Sequence, residues 1–327
     1  MKYAIDFLPE TITEYSGHKI FDLYRDPEKS ILAQEKARRG ILDRFGIDIG
    51  NPRIFVPTFL TVEVFGGEIL YPEDAEPGIL RPAIKDITKI SAYRLPDSYW
   101  EQPCMQYYVK MRDYFSEKSG CLPVLQCNTN GPATSAKMFR GDGFFPDLYE
   151  HPRQTKILME FVTENLIRYR EEMSLRQGIK TQGQGMGIWD DVAGMISPQM
   201  YAEYVVPGYD KIIRHFQCPD LYLHSEELHP GHLPYIKHLP ITCLDLGWER
   251  ETFLNIEIVK KETDFKYSWN YNYMRDIKEG SPNSIKKLYE QVLKRGGDRL
   301  VRIKAGIPRG TPPENVLALI EVAKTYA

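Results

Sequence analysis

Short apolar runs alternate with longer stretches of helical period along most of this chain, and no other feature restricts its fold as much. Strand candidates are 53–65 (RIFVPTFLTVEVF), 122–127, 183–189, 220–224, 240–246, 265–269 and 299–304. Helix candidates lie between them at 101–117, 151–175, 197–216, 281–295 and 311–326. Ser197-Pro198, Ser281-Pro282 and Thr311-Pro312 each put a capping hydroxyl before a proline, with Glu314 placed to complete a capping box on Thr311. Gly296-Gly297 stops the fourth helix. Strands separated by helices of this length imply right-handed crossovers and a parallel sheet. At 327 residues the pattern predicts a single α/β domain, a TIM-type (β/α)8 barrel over 51–327. Residues 1–50, with a helix opening at Asp26-Pro27 and closing at Gly46, read as an N-terminal helical extension.

An open nucleotide-binding sheet is disfavoured. The nearest glycine motif, Gly183-Gln-Gly185-Met-Gly187, lacks the G-x-G-x-x-G spacing and leads into Trp189-Asp190-Asp191 rather than a helix. Forty-two basic against 45 acidic side chains leave a net charge of −3, which gives no reason to expect nucleic acid or an anionic membrane as partner. The five cysteines form no C-x-x-C pair, so a zinc knuckle or a dithiol redox motif is not expected. The first residues lack the apolar core of a signal peptide, and no window nears the roughly 18 apolar residues of a membrane span, so a cytoplasmic protein is expected.

Barrel chemistry sits at the C-terminal ends of the strands, so polar residues there are the site candidates. Asn128 and Asn130, before Gly131-Pro132, are either substrate amides or turn caps. Asp190 and Asp191 are adjacent, so at most one faces the lumen. His224 and Glu226 stand at i and i+2, where they can converge as an acid/base pair or as two ligands of a divalent metal, zinc being the candidate. The other reading is a hydrogen-bonded couple without catalytic duty. Asp245, Trp269 and Asn270 end the next two strands, and Trp269 to Tyr273 form an aromatic cluster suited to wall a ring pocket or simply to pack. Arg302 and Lys304 share one face of the last strand, where they either bind an anionic substrate group or pair with Asp245.

From Asn130 onward the chain resembles the uroporphyrinogen decarboxylase superfamily. The resemblance rests on Gly131-Pro132, Arg140-Gly141, Asp147 to Pro152, Asp190-Asp191-Val-Ala-Gly194 to Pro198 with Pro207 following, and Gly306 to Asn315. It implies a TIM-type barrel whose members are porphyrinogen decarboxylases or cobalamin-dependent methyltransferases. The decarboxylases grip their substrate with an R-Q-A-G-R-Y segment near the N-terminus, and no such string occurs here. Thiol-methylating members hold zinc with H-x-C and a second cysteine. Here the first becomes His224-Ser225-Glu226 and the second position aligns with Ala305, leaving a harder donor set. The resemblance therefore implies an O-demethylase methyltransferase, acting on a small methoxylated aromatic and passing the methyl group to cob(I)alamin on a partner corrinoid protein. His224, Glu226, Asp190 and Asp191 would carry the catalysis. A decarboxylase, or a methyltransferase for a thiol, a methylamine or methanol, is the alternative.

Overall fold

The computed structural model describes residues 2–125, 130–250 and 252–326. Eight strands run in chain order: β1 (Lys2–Phe7), β2 (Glu68–Leu70), β3 (Gly78–Arg81), β4 (Met186–Trp189), β5 (Leu221–His224), β6 (Ile241–Asp245), β7 (Tyr267–Asn270) and β8 (Leu300–Ile307). Six of them make one sheet in the order β1-β8-β7-β6-β5-β4, with every pairing parallel; β2 and β3 form a separate antiparallel pair. The helices between β4 and β8 supply the expected crossovers, and their apolar faces share one large core with the sheet.

Two expectations are corrected. The first fifty residues are more than an appendage: Lys2–Phe7 is a strand of the sheet, paired along its length with the last strand, so the chain's start and end lie side by side. And the described residues form an α/β sheet of six strands rather than a closed ring of eight. Of the two missing staves, 53–65 contains no strand; it turns at 58–60 and ends in the short helix Thr61–Val64. The physical reason lies in where its backbone bonds go. Pro52 and Pro57 have no N–H to offer a neighbouring strand. The Gln34 side chain takes the place of that neighbour, accepting from Arg53 N at 2.8 Å and donating to Arg53 O at 2.9 Å. The other, 122–127, has no strand over its described residues 122–125, and its remainder lies outside them. At its far end Asn130 makes an isolated parallel bridge to Trp189.

The helix signals held where a side chain could reach the first turn. Asp26 accepts from Lys29 N, Ser197 from Met200 N and Ser281 from Ser284 N. The exception is Thr311, whose hydroxyl donates to Pro308 O at 2.7 Å; the last helix, Pro313–Thr325, starts without a side-chain cap or a capping box.

Several of the residues that carry the family resemblance turn out to be scaffold. Arg140 pairs with the buried Asp147 at 2.6 Å and donates to Lys85 O at 3.1 Å. In the closing segment Arg309 binds Asp74, Thr13 and the Glu10 carbonyl, Gly310 N reaches Glu14, and Asn315 holds the carbonyls of Ile277 and Gly280. This strap ties the helix Pro9–Ser16 to the end of the sheet and fixes where β1 and β8 meet.

Candidate functional site

Along β5, Leu221 and Leu223 are buried against the helices, which turns Tyr222 and His224 to the other face. Register then aligns the strand ends. Trp189 lies opposite His224, His224 opposite Asp245, Asp245 opposite Ser268, and Asn270 opposite Lys304. Residues scattered from 189 to 304 therefore share one level at the mouth of the sheet.

Asp245 is the centre of this level. It is fully buried, receives Lys304 Nζ at 2.6 Å and the Tyr222 hydroxyl, and is approached by Gly247 N at 3.2 Å. Tyr222 also contacts Ser268 Oγ at 3.3 Å. His224 stands between two carboxylates, with Nδ1 2.8 Å from Asp245 and Nε2 3.0 Å from Asp191. Nδ1 is buried and not aligned on a hydrogen-bond acceptor, so its attraction to Asp245 is chiefly that of opposite charges. Burial works against the imidazolium, but the two carboxylates outweigh it and raise the His224 pKa to about 9. Burial likewise disfavours the Asp245 carboxylate, yet His224 and Lys304 hold it well below the usual carboxylate range. At neutral pH His224 is thus an imidazolium held against the Asp245 carboxylate.

Glu226 enters the same space from a turn rather than from the strand. β5 ends at His224, and Glu227 adopts a left-handed backbone (φ 65°) that sends the two neighbouring glutamates apart. Glu227 pairs with Arg250 at 2.5 Å, and that guanidinium lies 3.8 Å over the Trp248 ring. Glu226 stays over the mouth, and burial raises its pKa. Together Trp189, His224, Glu226, Trp248, Tyr273 and Lys304 border a pocket of about 400 Å³, which Asn270, Tyr271, Asn272 and Met274 complete.

The structure brings His224, Glu226, Asp191, Asp245, Asn270 and Lys304 together and separates the other candidates from them. Asp190 turns away from the mouth. It is completely buried, accepts from Thr134 N at 2.6 Å, Ala133 N at 3.3 Å and Tyr209 OH at 2.8 Å, and so holds the start of the helix Pro132–Arg140; burial lifts its pKa to about 6. Asp190→Ala leaves these three donors without a partner. It is expected to lower stability by about 2–5 kcal/mol in urea unfolding, with ligand binding at the mouth unchanged in the folded fraction. The amide of Asn130 donates to Thr58 O at 3.0 Å and staples 51–58 to β4's neighbour. Asn128 lies outside the described residues. Trp269 sits on the outer face of β7, packed edge-on against Tyr271. Arg302 lies two residues deeper in β8, opposite Ser268, and does not border the pocket. Sequence reasoning missed Tyr222, Ser268 and Trp248; for the first two the signal was available, since each stands two residues before a chosen strand-end residue.

The described residues contain no group of three His, Cys, Asp or Glu side chains placed to share a metal ion. Both nitrogens of His224 face carboxylates, one of which is already tied to Lys304 and Tyr222. This arrangement does not fit a catalytic zinc, which takes three protein ligands, and no step is assigned to a metal.

The uroporphyrinogen decarboxylase (URO-D) family model matches residues 1–326. Comparison with curated proteins gave no match. Among solved structures, a methyltransferase from Methanosarcina mazei superposes with a TM-score of 0.70, covering 100% of this chain and 95% of the other at 17% identity. At that identity the likeness concerns the fold.

Proposed function

Because this chain belongs to the uroporphyrinogen decarboxylase family, with a match that leaves out a single residue, we propose that it is a methyltransferase of that family, one that removes the methyl group from a small methoxylated aromatic and passes it to a cobalamin-bearing partner protein. One observation carries the reading: an imidazolium held charged between two carboxylates opens onto a pocket walled by Trp189, Trp248, Tyr271 and Tyr273. The name of the Methanosarcina protein points the same way.

An aryl methyl ether parts with its methyl group only if the departing phenoxide oxygen is stabilised, and a positioned proton donor is one means of doing so. His224 is that donor, through Nε2, once the half-exposed Asp191 carboxylate that faces it turns aside. Its ring is oriented by Asp191 and Asp245, and Lys304 keeps Asp245 from taking the proton itself. As the C–O bond breaks, the proton on His224 moves to the ether oxygen and the product leaves as a phenol. The neutral imidazole then regains a proton from solvent by way of Asp191, whose side chain is about half exposed. Reduced cobalamin supplies, when bound over the mouth, the nucleophile that accepts the methyl group. The indole and phenol rings hold the substrate ring by stacking.

The test is incubation of the protein with a reduced corrinoid protein and a panel of methoxybenzoates. Methylcobalamin is expected in the visible spectrum with at least one of them. Its absence with every member sinks the reading, and CO2 released from a carboxylated aromatic without corrinoid would favour a decarboxylase instead.

A further inference from the structure

Two walls of the mouth pocket lie directly on glycines. On β4, Gly187 precedes Trp189 by two residues on the same face, and the indole folds back across it. A Cβ at Gly187 would stand 2.5 Å from Cη2 and 2.7 Å from Cζ3 of Trp189. On β8, separated from β4 by β5, β6 and β7, Gly306 does the same for Tyr273: a Cβ there would stand 2.6–2.9 Å from three carbons of the phenol ring. Neither glycine has a positive φ, so backbone freedom does not call for them. What is used is the missing side chain. Lumen positions of such sheets ordinarily carry bulky branched residues, and a glycine within a strand marks a place where another group approaches closely.

We propose that Gly187 and Gly306 are positioning residues that set substrate specificity. By letting the rings of Trp189 and Tyr273 pack directly against β4 and β8, they give the pocket two aromatic walls, a slot for an aromatic ring rather than for a compact aliphatic methyl donor. The inference rests on the proposed methyl transfer only for the identity of the reaction; the shape of the slot is independent of it. In each case the atoms a new methyl group would meet are the far end of a side chain bordering open space, and Trp189 is 40% exposed. An alanine therefore pushes the ring into the slot without breaking the strand.

The experiment compares the full-length protein with Gly187→Ala, Gly306→Ala and the double variant Gly187→Ala/Trp189→Phe, in which a smaller ring makes room again. Benzoate and 3-hydroxybenzoate are titrated calorimetrically and by indole fluorescence, 3-methoxybenzoate and vanillate are assayed for methyl transfer, and trimethylamine is the aliphatic control. Either alanine is expected to weaken arene binding and raise KM by about tenfold or more, as a misfit of one carbon does in a shaped pocket. The value of kcat should stay within about threefold, the indole emission of Gly187→Ala should shift, and the double variant should recover most of the affinity. Unchanged arene affinity in both alanine variants, or trimethylamine binding the wild type as tightly as the arenes, overturns the proposal. The two readings fail separately. Arene binding that weakens in the alanine variants with no methyl transfer supports the slot and overturns the methyl-transfer reading. Methyl transfer from trimethylamine without arene binding overturns the slot and the aromatic substrate together, and leaves only a methyltransferase for another donor.

Discussion

His224→Gln is expected to lower kcat by about 10²–10⁴-fold while leaving KM for a methoxyarene within a few-fold, because it removes the proton donor and keeps a polar side chain of similar reach. The wild-type rate should fall on the alkaline side with an apparent pKa near 9, where the imidazolium gives up its proton. Stability carries the same signature. Folding raises the His224 pKa from 6.5 to about 9, so the folded state holds this proton more tightly than the unfolded chain does. The resulting stabilisation is fully present below about pH 6.5 and is lost as the pH rises through about 9. Urea midpoints between pH 6 and 10 should therefore decline in the wild type, and less so in His224→Gln. A flat kcat profile across pH 8–10 would show that some other group supplies the proton.

Asp245→Ala should be the most damaging substitution at the mouth. It leaves the Lys304 ammonium and the His224 imidazolium facing each other without the buried carboxylate that neutralises both. Breaking a buried ion pair from one side costs about 3–5 kcal/mol, which is a large share of the stability of a typical domain. Guanidinium unfolding measures the loss directly. Asp245→Asn is the informative companion, because it keeps the shape and the hydrogen bond from Tyr222 but not the charge. Its stability should suffer less, while the His224 pKa should drop and carry the alkaline limb of the activity profile to lower pH. For Asp245 itself the dependence has the opposite sense to that of His224. Its folded pKa is depressed, so its contribution is present above the ordinary carboxylate range and fades only as the pH falls below it. If Asp245→Asn left the pH profile in place, the charge pairing would not be what tunes the imidazole.

Most of the residues by which the family is recognised lie apart from the site, Asp191 and Gly306 being the exceptions, and the reason is physical. Arg140, Asp147, Arg309 and Asn315 hold turns and helix ends whose backbone geometry admits few substitutes. The site residues stand at strand ends, where the sheet supports many side chains. This explains why the motif told so little about chemistry, while the rule that strand ends carry function picked out His224, Asp245 and Lys304, which the structure brings together. Asp190 and Asp191 show the limit of that rule. Alternation allows at most one of them into the lumen, but the choice depended on the N-terminus of Pro132–Arg140, which presents its free N–H groups to Asp190.

The sequence by itself determined the alternation of elements, the helix starts at Asp26, Ser197 and Ser281, and the faces of β5 and β8, because these follow from local hydrogen bonding and from a period of two. Tertiary structure alone decided the rest. Lys2–Phe7 pairs along its length with the free edge of β8, whereas in 53–65 Gln34 takes both backbone groups of Arg53 and Pro57 offers no N–H. The state of His224 was decided in the same way. A protonated imidazole at neutral pH requires two carboxylates from distant parts of the chain within 3 Å, and only the register of neighbouring strands and the turn after β4 bring them there.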